Sequence, residues 1–202
     1  MLASVIKNNV IVSLNEKDKN LIIPKNVVGM DYAISDLCSI DGFESIVVEE
    51  GNEHFYVQDG CLIWTDKKGL MAAVKGAKIP QDEKVEKIAA GAFMYQKDLT
   101  EMEIPKNIKR IFYNAFANTG LKKVLLNEGL ETLDLYAFGF NEELTELTIP
   151  QSVKKFVTHK VLEEVTMLSE MGYKNKTYRV YKNTYAHRYM KKNGLKFEVI
   201  DK

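Results

Sequence analysis

Cross-linking and metal-binding side chains are scarce in these 202 residues: there are two cysteines, Cys38 and Cys61, and three histidines, His54, His159 and His187. Two cysteines without a CxxC spacing make neither a disulfide framework nor a thiolate zinc site, and both read as small buried apolar residues, the alternative being a single disulfide between them. The histidines fall in three separate regions, with no HExxH and no paired ligand spacing, so no metal is expected. No GxSxG nucleophile turn and no glycine-rich phosphate loop occurs. No catalytic residue is assigned, no cofactor is expected, and the chain reads as a non-enzyme. An excess of one charge is missing too. Lysine and arginine number 28, aspartate and glutamate also 28. A neutral total gives no electrostatic reason to expect nucleic acid or an anionic membrane as partner. No stretch approaches the roughly 18 apolar residues that span a bilayer. Lys7, Asn8 and Asn9 interrupt the N-terminus too early for the apolar core of a signal peptide. A soluble, monomeric chain without membrane insertion is the expectation.

What is present is apolar residue in quantity, 46% of the chain, and it is periodic. Leu99, Met102, Ile104, Ile108, Ile111, Ala115 and Phe116 align in order with Leu121, Val124, Leu126, Leu130, Leu133, Ala137 and Phe138. A third copy opens at Leu144 and runs through Ile149-Pro150 to Phe156. The offsets are 22 residues (Leu99 to Leu121) and 23 (Leu121 to Leu144). Looser copies open at Val74, passing Ile79-Pro80, Val85, Ile88 and Ala92-Phe93, and at Phe43. A degenerate one is centred on Ile23-Pro24, and a shortened one opens at Leu162. A period near 23 is too long for a heptad and too short for a two-helix repeat. It fits one strand and one short turn or helix per coil. The strand is signalled by alternation: Met102 and Ile104 fall on one face, Glu101 and Glu103 on the other. Proline then removes an amide donor and ends it. The following three-residue spacing, Ile108 to Ile111 and on to Ala115-Phe116, suits a turn with a short helix or 3₁₀ segment.

The pattern L-x-x-I-x-I-P-x-x-I-x-x-I-x-x-x-A-F resembles the BspA-type leucine-rich repeat, over roughly residues 21 to 170. The resemblance implies a solenoid with a parallel sheet on its concave face and short helical or 3₁₀ turns on its convex face. Phe43 to Val74, with Glu50-Gly51-Asn52 and the turn dipeptide Asp59-Gly60, resembles the β-hairpin insertion common in that family. Val180 to Phe197 resembles its C-terminal ending. The chain is thus read as one repeat domain over 1–202. It has an N-terminal hairpin cap at 1–23 (Val10–Leu14 pairing with Leu21–Ile23), repeats at 24–170 with the hairpin insertion near 50–70, and a C-terminal cap at 171–202. In that cap Tyr181, Tyr185 and Tyr189 follow near-helical spacing, Gly194 stops the helix, and Leu195, Phe197 and Val199 alternate as a final strand. Such ends must be covered, because a solenoid otherwise leaves apolar edges open.

Phe93, Phe116 and Phe138 share one repeat position and read as core stackers. Tyr95, Phe112, Tyr113, Tyr136, Phe140 and Trp64 have no forced burial in this register, and Trp64 is expected to pack the insertion. For function, the resemblance implies adhesion or host-interaction roles, a protein or peptide partner, and a cell-surface or secreted location, often bacterial. A structural or targeting module of a larger assembly, or a carbohydrate-binding module, stands as the alternative. A mixed-charge stripe on the concave sheet favours the first, a featureless face the second, clustered exposed aromatics the third. With positions one, four and six of each strand motif inward, positions three and five point out. The expected binding face is therefore Ser45, Val47, Lys78, Glu101, Glu103, Lys123, Leu125, Glu146, Thr148, Glu164 and Thr166. In parallel register, with strands about 4.8 Å apart, Lys123 is expected between Glu101 and Glu146, and Lys78 beside Glu103.

Overall fold

A computed structural model describes residues 4–14, 19–31, 42–158 and 173–201. The leucine-rich motif forms strands in one column: β3 (Asn20–Ile23), β5 (Ser45–Val48), β10 (Glu101–Ile104), β12 (Lys123–Leu126) and β14 (Glu146–Ile149). β3, β10, β12 and β14 are each followed by proline or a polar turn and then by a second, shorter strand, β4 (Gly29–Met30), β11 (Arg110–Ile111), β13 (Thr132–Asp134) and β15 (Lys155–Val157). β9 (Lys87–Ile88) takes that place in the copy opening at Val74, and β5 leads into the insertion. One turn of the chain thus contributes to two parallel sheets, with the apolar set of both facing a shared core. β9, β11, β13 and β15 pair in register, Lys87 beside Arg110, Arg110 beside Thr132 and Thr132 beside Lys155. The leucine-rich strands of the first sheet form separate parallel ladders, β3 with β5 and β10 with β12, with a lone bridge from Phe43 to Val74 between these copies, while β12 and β14 adjoin without completing a ladder.

The Ala-Phe segment closes each coil as a chain of turns, without the short helix or 3₁₀ segment that its spacing suits. Asn114 and Asn118 flank it in the left-handed region, at φ 54° and 56°. A helix cannot run through such residues, because right-handed helical hydrogen bonding requires negative φ throughout. The turn amides instead reach the next coil, Phe93 N to Ala115 O and Phe116 N to Ala137 O, both 2.8 Å. Phe93, Phe116 and Phe138 stack as expected, with centroids 4.9 and 5.2 Å apart and rings 12° from parallel. All three are buried. Tyr136 is buried as well, whereas Tyr95, Phe112, Tyr113, Phe140 and Trp64 are half-buried.

Corner residues not signalled by the apolar pattern tie coil to coil. The Asn107 side-chain amide donates towards three carbonyls of the preceding corner, Pro80, Asp82 and Val85, at 3.0, 2.9 and 2.7 Å. Asn52 does the same for Pro24 and Val27. Ser152 Oγ takes that place for the next pair of coils, donating to Leu130 O and accepting from Gly129 N. These bonds satisfy carbonyls that a proline-ended strand leaves without a ladder partner.

The insertion is a three-stranded meander. β6 (Phe55–Gln58) and β7 (Cys61–Trp64) pair antiparallel through Asp59-Gly60, and β7 pairs antiparallel with β8 (Gly69–Ala73). β8 then pairs in parallel with β9, so the hairpin extends the second sheet by three strands. A single 3₁₀ turn, Thr65–Lys67, joins β7 to β8. Cys61 is fully buried and its thiol lies 3.3 Å from Lys78 O; burial pushes that thiol up to about 12. It is inert packing, while Cys38 lies outside the described residues.

Two local expectations change. The N-terminal hairpin forms between β1 (Ser4–Lys7) and β2 (Val10–Leu14), turning at Asn8 and Asn9 with φ 51° and 62°. β2 does not pair with Leu21–Ile23. It pairs in parallel with β4, and Leu21–Ile23 is part of β3. An Asn-Asn turn with both residues left-handed matches strand twist and outcompetes the longer connection. The motif opening at Val74 makes only one bridge, to Phe43. Gly76, at φ 75°, turns the chain there, Ala77 N bonding back to Val74 O, and Lys78 N is drawn to Asp59 O.

At the other end, β16 (Thr177–Tyr181) pairs in parallel with β14, and β17 (Phe197–Ile200) with β16. Between them α1 (Tyr185–Lys192) is capped by Thr184, whose hydroxyl accepts from His187 N at 3.2 Å. The helix buries Ala186 and Met190 and lays Tyr185 and Tyr189 on Phe156, centroids 5.6 and 4.8 Å away. Gly194 follows at φ 66°, as a helix stop requires. The final strand departs from simple alternation, since Val199 is 47% exposed on the outermost strand. The shortened repeat expected at Leu162 lies outside the described residues.

Candidate functional site

The first sheet, built from the leucine-rich strands, carries most of the residues expected to bind. On β10 and β12 the burial alternates residue by residue, so Ile104 and Leu126 enter the core while Glu101, Glu103, Lys123 and Leu125 stand outside. Register places Glu101 directly beside Lys123, and Glu103 beside Leu125. Lys123 and Glu101 are thus neighbours, yet they close no ion pair among the described residues. Glu103 instead accepts from the Asn127 side-chain amide at 2.8 Å. A shallow groove of about 200 Å³ runs between these side chains, with Met102 in its floor. Leu125, 49% exposed, gives the charged surface an apolar contact point.

Other expected members are distributed around this pair of strands. Glu146 and Thr148 project from β14, which adjoins β12 without ladder bonds. Ser45 and Val47 project from β5, where Val47 is 52% exposed beside Ile22, itself 48% exposed. Lys78 is exposed in the turn after Gly76 and not on a strand, so it forms no ladder neighbour of Glu103. Glu164 and Thr166 lie outside the described residues. Beside Glu146 stands Thr177, and beside Thr148 stands Arg179, which itself pairs in register with Glu198. Arg179 is thus a face residue that the repeat pattern missed. The alternating run Thr177-Tyr178-Arg179-Val180-Tyr181 carried the strand signal, hidden because it lacks the leading leucine and trailing proline. The face is a mixed-charge surface with apolar points, and among its described outward residues one is aromatic, Tyr181, which shares the register of Arg179 at the end of β16.

The model of the BspA type leucine rich repeat region matches residues 72–191 in six copies. This chain belongs to that family. Two solved structures share its solenoid fold. The pneumococcal vaccine antigen PcpA is 25% identical with a TM-score of 0.62, covering 82% of this chain and 41% of its own. A leucine-rich cell-surface protein of Faecalibacterium prausnitzii A2-165 is 14% identical with a TM-score of 0.61, covering 91% of this chain and 48% of its own. The chain therefore spans less than half the length of either. No curated protein matches it.

For this BspA-type solenoid, candidate chemistry outside the face is sparse. Among the described residues no group of three or more His, Cys, Asp or Glu side chains is placed to hold a metal ion. No helix among them is long and apolar enough to cross a membrane. His54 Nδ1 lies 2.7 Å from Asp66 Oδ2 at the partly exposed base of the insertion. His187 Nδ1 accepts from Asn183 N at 3.2 Å and its ring lies against Phe197, a helix-entry role. His159 is outside the described residues. Trp64 packs the insertion as expected, stacked on Phe55 at 5.4 Å.

Proposed function

We propose that this chain is a non-catalytic adhesion or protein-binding solenoid at a bacterial cell surface, and that it engages its partner through the outer face of the first sheet. The supporting observation is the in-register block Glu101–Lys123 and Glu103–Leu125. It sets opposite charges and an exposed leucine on a rigid, laddered surface. Glu101 and Lys123, which close no ion pair among the described residues, are available to a partner, and a fixed backbone lowers the entropy lost on docking. Glu146 and Thr148 on the adjoining β14 would extend the block on one side, and Ser45 and Val47, on the separate β3–β5 ladder, would add to it on the other. The mixed charge favours a protein or peptide over a featureless structural role. A single outward ring, Tyr181 at the end of β16, without a second beside it among the described strands argues against a sugar, which is usually recognised by stacking on clustered rings. The family membership and the cell-surface protein among the structural neighbours support the location.

The test is affinity capture from surface extracts of the organism and its neighbours, using the wild-type chain and the triple substitution Glu101→Gln, Glu146→Gln and Glu164→Gln. A partner held by the wild type is expected to bind the triple variant more weakly and with a flatter salt dependence. Normal binding of that partner to the triple variant removes this face from consideration.

A further inference from the structure

A second surface lies on the other sheet, where the insertion joins the repeats. Trp64 pairs with Gly69 across β7 and β8, Gly69 with Lys87 across β8 and β9, and Lys87 with Arg110 across β9 and β11. The small residues Gly69, Ala89 and Ala90 form a floor between taller side chains, with Trp64 and Met71 at one side and Phe112 at the other. The result is a groove of about 310 Å³, at the lower end of the range for ligand sites and enough for a side-chain anchor. Its lining is apolar except for lysine.

The charge around this floor is one-sided. Lys67 sits over the Trp64 ring, 5.7 Å from its centroid, and Arg110 over Phe112 at 4.0 Å. Lys87 lines the groove between them. The nearby carboxylates are already engaged: Glu86 bridges Lys68 and Lys109 at 2.9 and 3.1 Å, and Asp66 meets His54. Lys67, Lys87 and Arg110 have no carboxylate partner among the described residues. In a chain with no net charge, three unneutralised cations gather around one apolar floor.

We propose that this groove docks an acidic peptide segment carrying one aromatic or large aliphatic anchor. The anchor fills the floor between Trp64 and Phe112, and flanking carboxylates meet Lys67, Lys87 and Arg110. A sugar fits poorly, because its hydroxyls would be buried against a floor without hydrogen-bond partners. A basic peptide is repelled by the rim. This site is independent of the face proposed above, which lies on the other sheet.

Trp64 is the single tryptophan of the chain, so its emission reports on the groove directly. The experiment titrates the full chain with a capped peptide holding a central phenylalanine flanked by glutamates. The controls are the same peptide centred on alanine, a lysine-flanked version, and vesicles of phosphatidylglycerol. A saturable emission change is expected with the first peptide only, weakening as salt is raised. Lys87→Glu and Phe112→Ala are each expected to weaken it at least about tenfold, as rim-charge and anchor-wall losses do. Lys87→Glu serves alone if Phe112→Ala fails to fold. A flat titration overturns the proposal, as does equal binding of the alanine-centred or lysine-flanked peptide. An emission change confined to the vesicles also overturns it, assigning the groove to a lipid surface instead.

Discussion

Replacing Phe116 by alanine tests the repeat register and the stacking of coils together. The ring is fully buried, and it lies between two others, 4.9 Å from Phe93 and 5.2 Å from Phe138, all nearly parallel. A buried Phe→Ala change usually costs about 3–5 kcal/mol, depending on how far the site collapses into the cavity. Collapse is hindered here. The backbone at Phe116 is bonded to Ala137 O, and its neighbour Ala115 accepts from Phe93 N, so both adjoining coils are pinned at their spacing. The lost ring contacts, about 0.5–1.5 kcal/mol each, push towards the upper end, and we expect about 4–5 kcal/mol. That is a large part of the stability of an ordinary domain, about 5–15 kcal/mol. Phe116→Leu keeps most of the volume and should cost about 1–2 kcal/mol. The assay is urea denaturation followed by far-ultraviolet circular dichroism and by Trp64 emission in parallel. In a solenoid each coil leans on its neighbours, so the two probes should coincide in the wild type and separate in Phe116→Ala as the array decouples. A change of less than about 0.5 kcal/mol, the scale of an unremarkable surface substitution, would refute both the register and the idea that these rings bind coil to coil.

Lys176 is buried with its ammonium 3.3 Å from Asn141 O, and burial pulls its proton affinity from 10.5 down to about 8. The native state therefore holds fewer protons than the unfolded state between those values, so stability should rise as pH climbs from about 8 towards 10.5. The rise is on the order of 3 kcal/mol. Lys176→Met should be more stable at neutral pH, with an advantage that shrinks over that window; a constant advantage in urea midpoints across it would contradict the account. At Gly129, with φ 118°, an added Cβ would overlap Lys106 O, so Gly129→Ala should destabilise by about 2 kcal/mol or more, visible as a lowered thermal midpoint. Asn107→Ala strips the side-chain donor from three corner carbonyls and should cost about 1–3 kcal/mol in the same melts, whereas a neutral result would mean water replaces the amide without loss.

The sequence by itself determined the repeat, the family and the inward set. Leu99, Met102, Ile104 and their counterparts recur because each coil must bury the same face, and periodic burial leaves a periodic mark on sequence. The phenylalanine stack, the outward alternation on β10 and β12, the α1 helix and its Gly194 stop were legible for the same reason. Tertiary structure decided what periodicity does not encode. The three-residue spacing from Ile108 to Ile111 serves a helix or a bent strand equally, and the pairing of Arg110 and Ile111 with β9 and β13 settled it for the strand. Pairing choices were likewise non-local. β2 joins β4, β16 takes the place beside β14, and Lys78 leaves its column at Gly76, because the hydrogen bonds that select those partners come from residues far along the chain. The apolar groove is the clearest case. Trp64, Gly69, Ala89 and Phe112 share no motif, and only the joining of the insertion to the second sheet brings them to one surface.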